Sequence, residues 1–85
     1  VQHSEVLSRA LEVFKERNRV RKDLWARHDP EDQIRMVIEK AERVRVNLAD
    51  AAPDLDIALD DAIDGINYFA FVIRLLTGET PDDNG

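Results

Sequence analysis

The sequence predicts an all-α protein, a three-helix antiparallel bundle whose protomers associate into an oligomeric helical bundle. Three observations carry that expectation. Apolar residues recur at three- and four-residue spacing along most of the chain, start and stop signals divide it into three segments, and no stretch shows the two-residue alternation of a half-buried strand. Aliphatic and aromatic residues make up 44% of the chain and charged residues 35%, a globular balance. With 85 residues the chain is one domain, expected over residues 1–78 and followed by a polar tail, residues 79–85.

The first helix is expected from Ser4, a suitable N-cap, to about residue 20 on the stripe Leu7, Ala10, Leu11 and Phe14. The second begins in "HDPED". There Asp29 caps, Pro30 suits the first helical position, and Glu31 and Asp32 favour the positive end of the helix dipole. Its apolar stripe, Ile34, Val37, Ile38, Ala41, Val44 and Leu48, stops at "ADAAPD", where Pro53 marks a turn. The third helix starts near Asp54 and continues to Thr77, with Gly78 placed to terminate it. From Ala62 to Leu76, eleven of fifteen residues are apolar, on every side of the helix. A three-helix protomer cannot cover them all. Ile66, Phe69, Phe71, Ile73 and Leu76 therefore predict a homo-oligomer, a dimer or a dimer of dimers.

Charge and composition narrow the function. The net charge of −6 argues against general nucleic-acid binding, which needs a basic footprint. The absence of cysteine excludes thiolate metal sites and cysteine nucleophiles. No basic segment precedes an apolar stretch near the start, and the longest apolar run falls short of the roughly 20 residues that span a bilayer, so no membrane partner and a cytoplasmic location are expected. Charge is unevenly placed: "KERNRVRKDLWAR", residues 15–27, holds half of all Lys and Arg, whereas residues 50–85 hold nine acids against the single Arg74. A basic arm facing an acidic site is one reading, and two solvated surfaces of opposite sign is the other.

The acids of the third helix need a reason to be there. Asp54, Asp56 and Asp60 fall near the favourable N-terminal end of the dipole, but Asp61 and Asp64 lie beyond its first turn. At about 100° per residue, Asp61, Asp64 and Tyr68 share a sector of roughly 60°. On the second helix Glu39 and Glu42 are likewise neighbours, three residues apart. Across an antiparallel hairpin the two pairs can face each other, and four carboxylates together repel unless cations neutralise them. Oxygen ligands without His or Cys suit a hard cation, Mg²⁺ or alternatively Mn²⁺. Taken singly, the glutamates also read as exposed salt bridges, Glu39 with Arg35 and Arg43 and Glu42 with Arg45.

The ordered pattern E39-x-x-E42, eighteen residues, D61-x-x-D64 and then Tyr68 resembles the signature of the all-α NTP pyrophosphatases, the MazG-like and dCTP pyrophosphatase group. The segments "RVRKDLWARHD", "IEKAERVRVNL" and "DDAIDGINYFAF" are similar to small phage-type members associated with nucleotide modification. The resemblance implies that the four acids bind Mg²⁺, that Tyr68 contacts the phosphates, and that a nucleoside triphosphate is hydrolysed to the monophosphate and pyrophosphate. Asp61 stands where the family usually has Glu, one methylene shorter. Larger members carry a further helix that encloses the base, a wall that a partner subunit would supply here.

The expected function is thus a Mg²⁺-dependent NTP or dNTP pyrophosphohydrolase in which Glu39, Glu42, Asp61 and Asp64 hold the metal and Glu39 orients the attacking water. The alternative is a helical oligomer on the same scaffold that binds or sequesters a nucleotide without turning it over. Around the acids, Lys22 is a candidate phosphate contact and Trp25 a candidate stacking partner for the base, with a core or interface anchor as its other reading. Asn67 can read a base edge through its amide, or be satisfied by backbone.

Overall fold

A computed structural model of the chain describes residues 1–78; the expected tail, residues 79–85, lies outside the described residues. The predicted all-α fold is observed. Helix α1 (His3–Arg21) leads through a 3₁₀ turn (Leu24–Arg27) to α2 (Pro30–Leu48), and a short loop returns the chain as α3 (Leu55–Leu76). Helix α3 packs along α2 and, less extensively, against α1 and the 3₁₀ turn. Helix α2 runs antiparallel to α3, as Arg43 meets Asp61 while Asn47 meets Asp54, whereas α1 crosses α3, with Ala10 at Asn67, Phe14 at Phe71 and Arg17 at Asp64.

Local chemistry sets each boundary. Helix α1 starts two residues before the expected cap position would allow: Gln2 is the N-cap, its backbone N–H reaching the Glu5 carboxylate at 3.4 Å, and Ser4 lies inside the first turn. Asp29 and Asp32 cap α2 reciprocally, with Asp32 N–H donating to Asp29 Oδ1 at 2.9 Å, and Pro30 occupies the first helical position as expected. Asp54 caps α3 by accepting from Ile57 N–H. Asn47 clasps the same residue, its amide donating to Asp54 O at 2.8 Å and accepting from Asp54 N–H at 2.9 Å. That clasp joins the end of α2 to the start of α3 and fixes the hairpin's register.

The α1–α2 corner contains two consecutive left-handed residues, Lys22 (φ 51°) and Asp23 (φ 62°). For non-glycine residues this conformation needs local support. Asn18 supplies it, donating to Asp23 Oδ1 at 2.7 Å and accepting from Asp23 N–H at 2.9 Å. The corner swings Trp25 inward, where it is buried, stacked on Phe71 at 5.0 Å between ring centroids and 8° between planes. The Arg74 guanidinium lies 4.4 Å from the Trp25 ring centroid, and Gln33, itself buried, donates to the Trp25 carbonyl at 3.0 Å.

The apolar stripe expected to bury α2 does not do so: Ile38 and Leu48 are exposed, and the buried residue of this helix is Gln33. Helix α2 meets α3 through Lys40, Arg43 and Asn47. A second correction concerns Phe71. It packs inward, edge-on to Phe14 at 5.7 Å and to Tyr68 at 5.9 Å, whereas Phe69, Ile73 and Leu76 of the same group are exposed. Among the described residues no helix is long and apolar enough to cross a membrane.

Candidate functional site

Asp61 and Asp64 are both buried, and the structure shows what neutralises them. Lys40 sets its ammonium 3.5 Å from Asp61 Oδ1 and 3.2 Å from Asp64 Oδ2, bridging the two carboxylates. Arg43 Nε donates to both oxygens of Asp61, at 3.1 Å each. From the other side, α1 contributes Arg17, which donates to Asp64 Oδ1. Two buried anions thus face three cations from two other helices. Burial of a carboxylate is tolerable only with such pairing.

The expected second acidic pair lies elsewhere. Glu39 and Glu42 are exposed on α2, lining an open depression together with Asp61 and Arg43. Glu42 accepts two hydrogen bonds from Arg45, at 2.7 and 3.1 Å, the salt bridge foreseen as the simpler reading. The hydrogen bond from Arg45 and, after it, the charge of that guanidinium hold the Glu42 carboxyl below its usual range. Arg45 is raised in return. Among the described residues no group of three or more His, Asp or Glu side chains is arranged to hold a metal ion. The donor set does not fit a resident Mg²⁺ in this arrangement, because a hard cation needs uncommitted carboxylate oxygens and those of Asp61 and Asp64 face arginine and lysine.

Beyond Asp64, a cavity of about 460 Å³ opens between α1, the corner, α3 and the first turns of α2. Its walls combine the aromatic rings of Phe14, Trp25, Tyr68 and Phe71 with the guanidinium-bearing side chains of Arg17, Arg21 and Arg35 and the amides of Asn18, Gln33 and Asn67. The volume lies within the range of small-molecule sites, and apolar walls with a few convergent polar groups are their usual make-up.

The cavity gathers several of the residues singled out in the sequence and leaves others out. Asp64, Tyr68, Asn67 and Trp25 line it; Lys22 is exposed and does not, being held at the corner by its left-handed backbone. Trp25 is committed to the aromatic core and offers the cavity part of its wall. Asn67 donates its amide to the Ala10 carbonyl at 3.0 Å, tying α3 to α1. Glu39 and Glu42 stand outside this cavity, in the depression on the α2 side. Arg17, Arg21, Arg35, Lys40 and Arg43 were not singled out from the sequence as site residues. For the last two the signal was present: Lys40 and Arg43 repeat, one residue later, the spacing of Glu39 and Glu42.

Comparison with known proteins finds no match to the chain among family models, curated proteins or solved structures. The likeness to the all-α pyrophosphatases rests on the residues quoted for it.

Proposed function

We propose that the protein is a nucleotide-binding helical protein that holds its ligand in the cavity between α1 and α3 without hydrolysing it. The observation that carries this reading is the composition of that cavity: aromatic walls suited to a base, beside Arg21 and the guanidinium groups of Arg17 and Arg35, which pair with Asp64 and Asp32 at its wall and whose planar geometry matches phosphate oxygens. The ion-paired state of Asp61 and Asp64 supports binding over turnover, since a phosphate would meet arginines and not a metal cluster. A cytoplasmic setting follows from the ligand class. The working unit in this reading is a homo-oligomer, because large apolar side chains of α3 remain exposed in the protomer.

A second reading is favoured by a different observation. Glu39, Glu42 and Asp61 do line one depression, so a Mg²⁺-dependent pyrophosphohydrolase requires Arg43 to release Asp61. Incubating the protein with a panel of NTPs, dNTPs and their monophosphates, with Mg²⁺ and with a chelator, separates the two. Retained, unaltered nucleotide in both conditions supports binding alone. Monophosphate and pyrophosphate formed only with Mg²⁺ would replace that reading by the enzymatic one, and absence of both binding and products would remove both.

A further inference from the structure

Along α3, the residues Leu55, Leu59, Ala62, Ile66, Phe69, Ile73 and Leu76 follow one another at intervals of four, three, four, three, four and three. This is an unbroken 3.5-residue repeat over the whole 22-residue helix, about 33 Å long. The stripe points away from α1 and α2: Leu55, Leu59, Phe69, Ile73 and Leu76 are each between 51% and 71% exposed, whereas Asp64, on the opposite side of the helix, is buried. On one side the stripe is bounded by Ala58 and Val72, both buried within the protomer, with the partly exposed Gly65 between them. A methyl group built on Gly65 would meet no atom within 4 Å, so the protomer's own packing does not demand glycine there.

We propose that this seam packs against the same seam of a second copy, antiparallel, forming a two-fold α3–α3 interface. The inference rests on the reading of the protein as a homo-oligomer and narrows it to one surface and one direction. Orientation follows from side-chain size and charge. In a parallel pair, equivalent positions share a layer, so Phe69 would oppose Phe69 of the partner subunit and Ala62 would oppose its own equivalent, leaving one layer crowded and another empty. Reversing one helix sets each position beside the alternate one, so that Phe69 meets a smaller aliphatic residue. Parallel packing also brings together two acidic helix starts, each with Asp54, Asp56 and Asp60. Antiparallel packing sets each beside the last turn of the other helix, whose charged residue is Arg74 and whose dipole is negative there. The seam lies opposite Asp64, so the interface leaves the cavity between α1 and α3 open.

The native chain has no cysteine, which makes directed cross-linking clean. Leu55→Cys and Leu76→Cys replace exposed residues and are mixed, then treated with a short bismaleimide. The expected result is a 55–76 cross-link between subunits and none between two 55 positions, which the antiparallel pair separates by roughly 30 Å along the axis. Sedimentation of Phe69→Glu, a change at a half-exposed site, should give the monomer mass with helicity close to that of the wild type. A 55–55 cross-link, or an oligomer that survives Phe69→Glu and yields no 55–76 product, overturns the interface while leaving oligomerisation standing. A wild-type protein that sediments as a monomer at micromolar concentration overturns both, and hands the seam to a different protein.

Discussion

Lys40 of α2 sits 3.2 Å from Asp64 of α3 and, with the same ammonium, 3.5 Å from Asp61. One cation thus ties two buried anions one helical turn apart, and its own side chain is only 18% exposed. Removing it leaves Arg43 and Arg17, which are each about half exposed and reach one aspartate apiece. Lys40→Met should therefore destabilise the fold by about 3–5 kcal/mol, the range for breaking a buried pair. Arg43→Met should do less. Urea denaturation of the two variants checks the order, and equal losses would show that Lys40 has no bridging role.

Divalent metal gives a second test of the same cluster. With Asp61 and Asp64 neutralised from within the protein, Mg²⁺ should leave the melting temperature of the nucleotide-free protein unchanged, since only a ligand that prefers the folded state raises it. Thermal melts of wild type and Asp64→Asn, each with Mg²⁺ and with chelator, supply the comparison. A metal-dependent rise in wild type that disappears in the variant would favour the carboxylate metal site.

Tyr68 and Arg21 both line the cavity, one on α3 and one at the end of α1. Tyr68→Phe keeps the edge-on contact with Phe71 and deletes only a hydroxyl. If that hydroxyl bonds a phosphate, the loss of a hydrogen bond to a charged group is about 1.5–3 kcal/mol, or roughly 10- to 150-fold in affinity. Arg21→Ala should weaken binding at least as much and make it less sensitive to salt. Calorimetric titration of nucleotide into each variant decides whether these two residues belong to the site.

Trp25 should behave as a core residue. Truncating a well-buried aromatic to alanine costs about 3–5 kcal/mol, so Trp25→Ala should approach the stability limit of a domain this small. Trp25→Phe, which retains stacking on Phe71, should lose much less. If Trp25→Ala folded with wild-type stability and lost only nucleotide affinity, the ring would be a ligand platform.

Glu42 provides the pH prediction. Its folded carboxyl is held low by Arg45, so the pair favours the folded state above the unfolded carboxyl range, and that contribution is lost as pH falls through the folded value. Both side chains are solvent-exposed, which screens the interaction. Glu42→Gln should thus leave stability at neutral pH almost unchanged and slightly flatten its decline on acidification. A large loss at neutral pH would place Glu42 in a more demanding role.

The helices and their caps were legible because they depend on neighbours in sequence: Asp29 and Pro30 start α2 and Asp54 starts α3 as their chemistry dictates. The start of α1 moved because a Glu5 carboxylate gives Gln2 a capping partner that Ser4 was assumed to be needed for. The cluster was half legible. "EKAER" contains two interleaved pairs, Glu39 with Glu42 and Lys40 with Arg43, and spacing alone does not choose between them. Opposite charge does: facing Asp61 and Asp64, the basic pair gains attraction without any added ion. Arg17 was beyond reach, since it joins Asp64 from 47 positions away. Similarly, the apolar character of α3 was visible, but its division into an inward side with Phe71 and an outward side with Phe69 depends on where α1 and the corner pack.

Helix α1 has one buried residue, Ala10, and is fastened to α3 by Arg17, Asn67 and the Phe14 ring, whereas α2 and α3 share a clasped hairpin and the inner ion cluster. Such unequal attachment should divide the molecule into a slow-exchanging hairpin and a faster-exchanging first helix, in the sense that amide hydrogens are released by partial openings of different free energy. Because α1 forms one wall of the cavity, its transient departure is also a route by which a ligand enters or leaves. Occupancy would then be recorded as deuterium retained along α1, and the lifetime of the bound state would be set by how often that helix lets go.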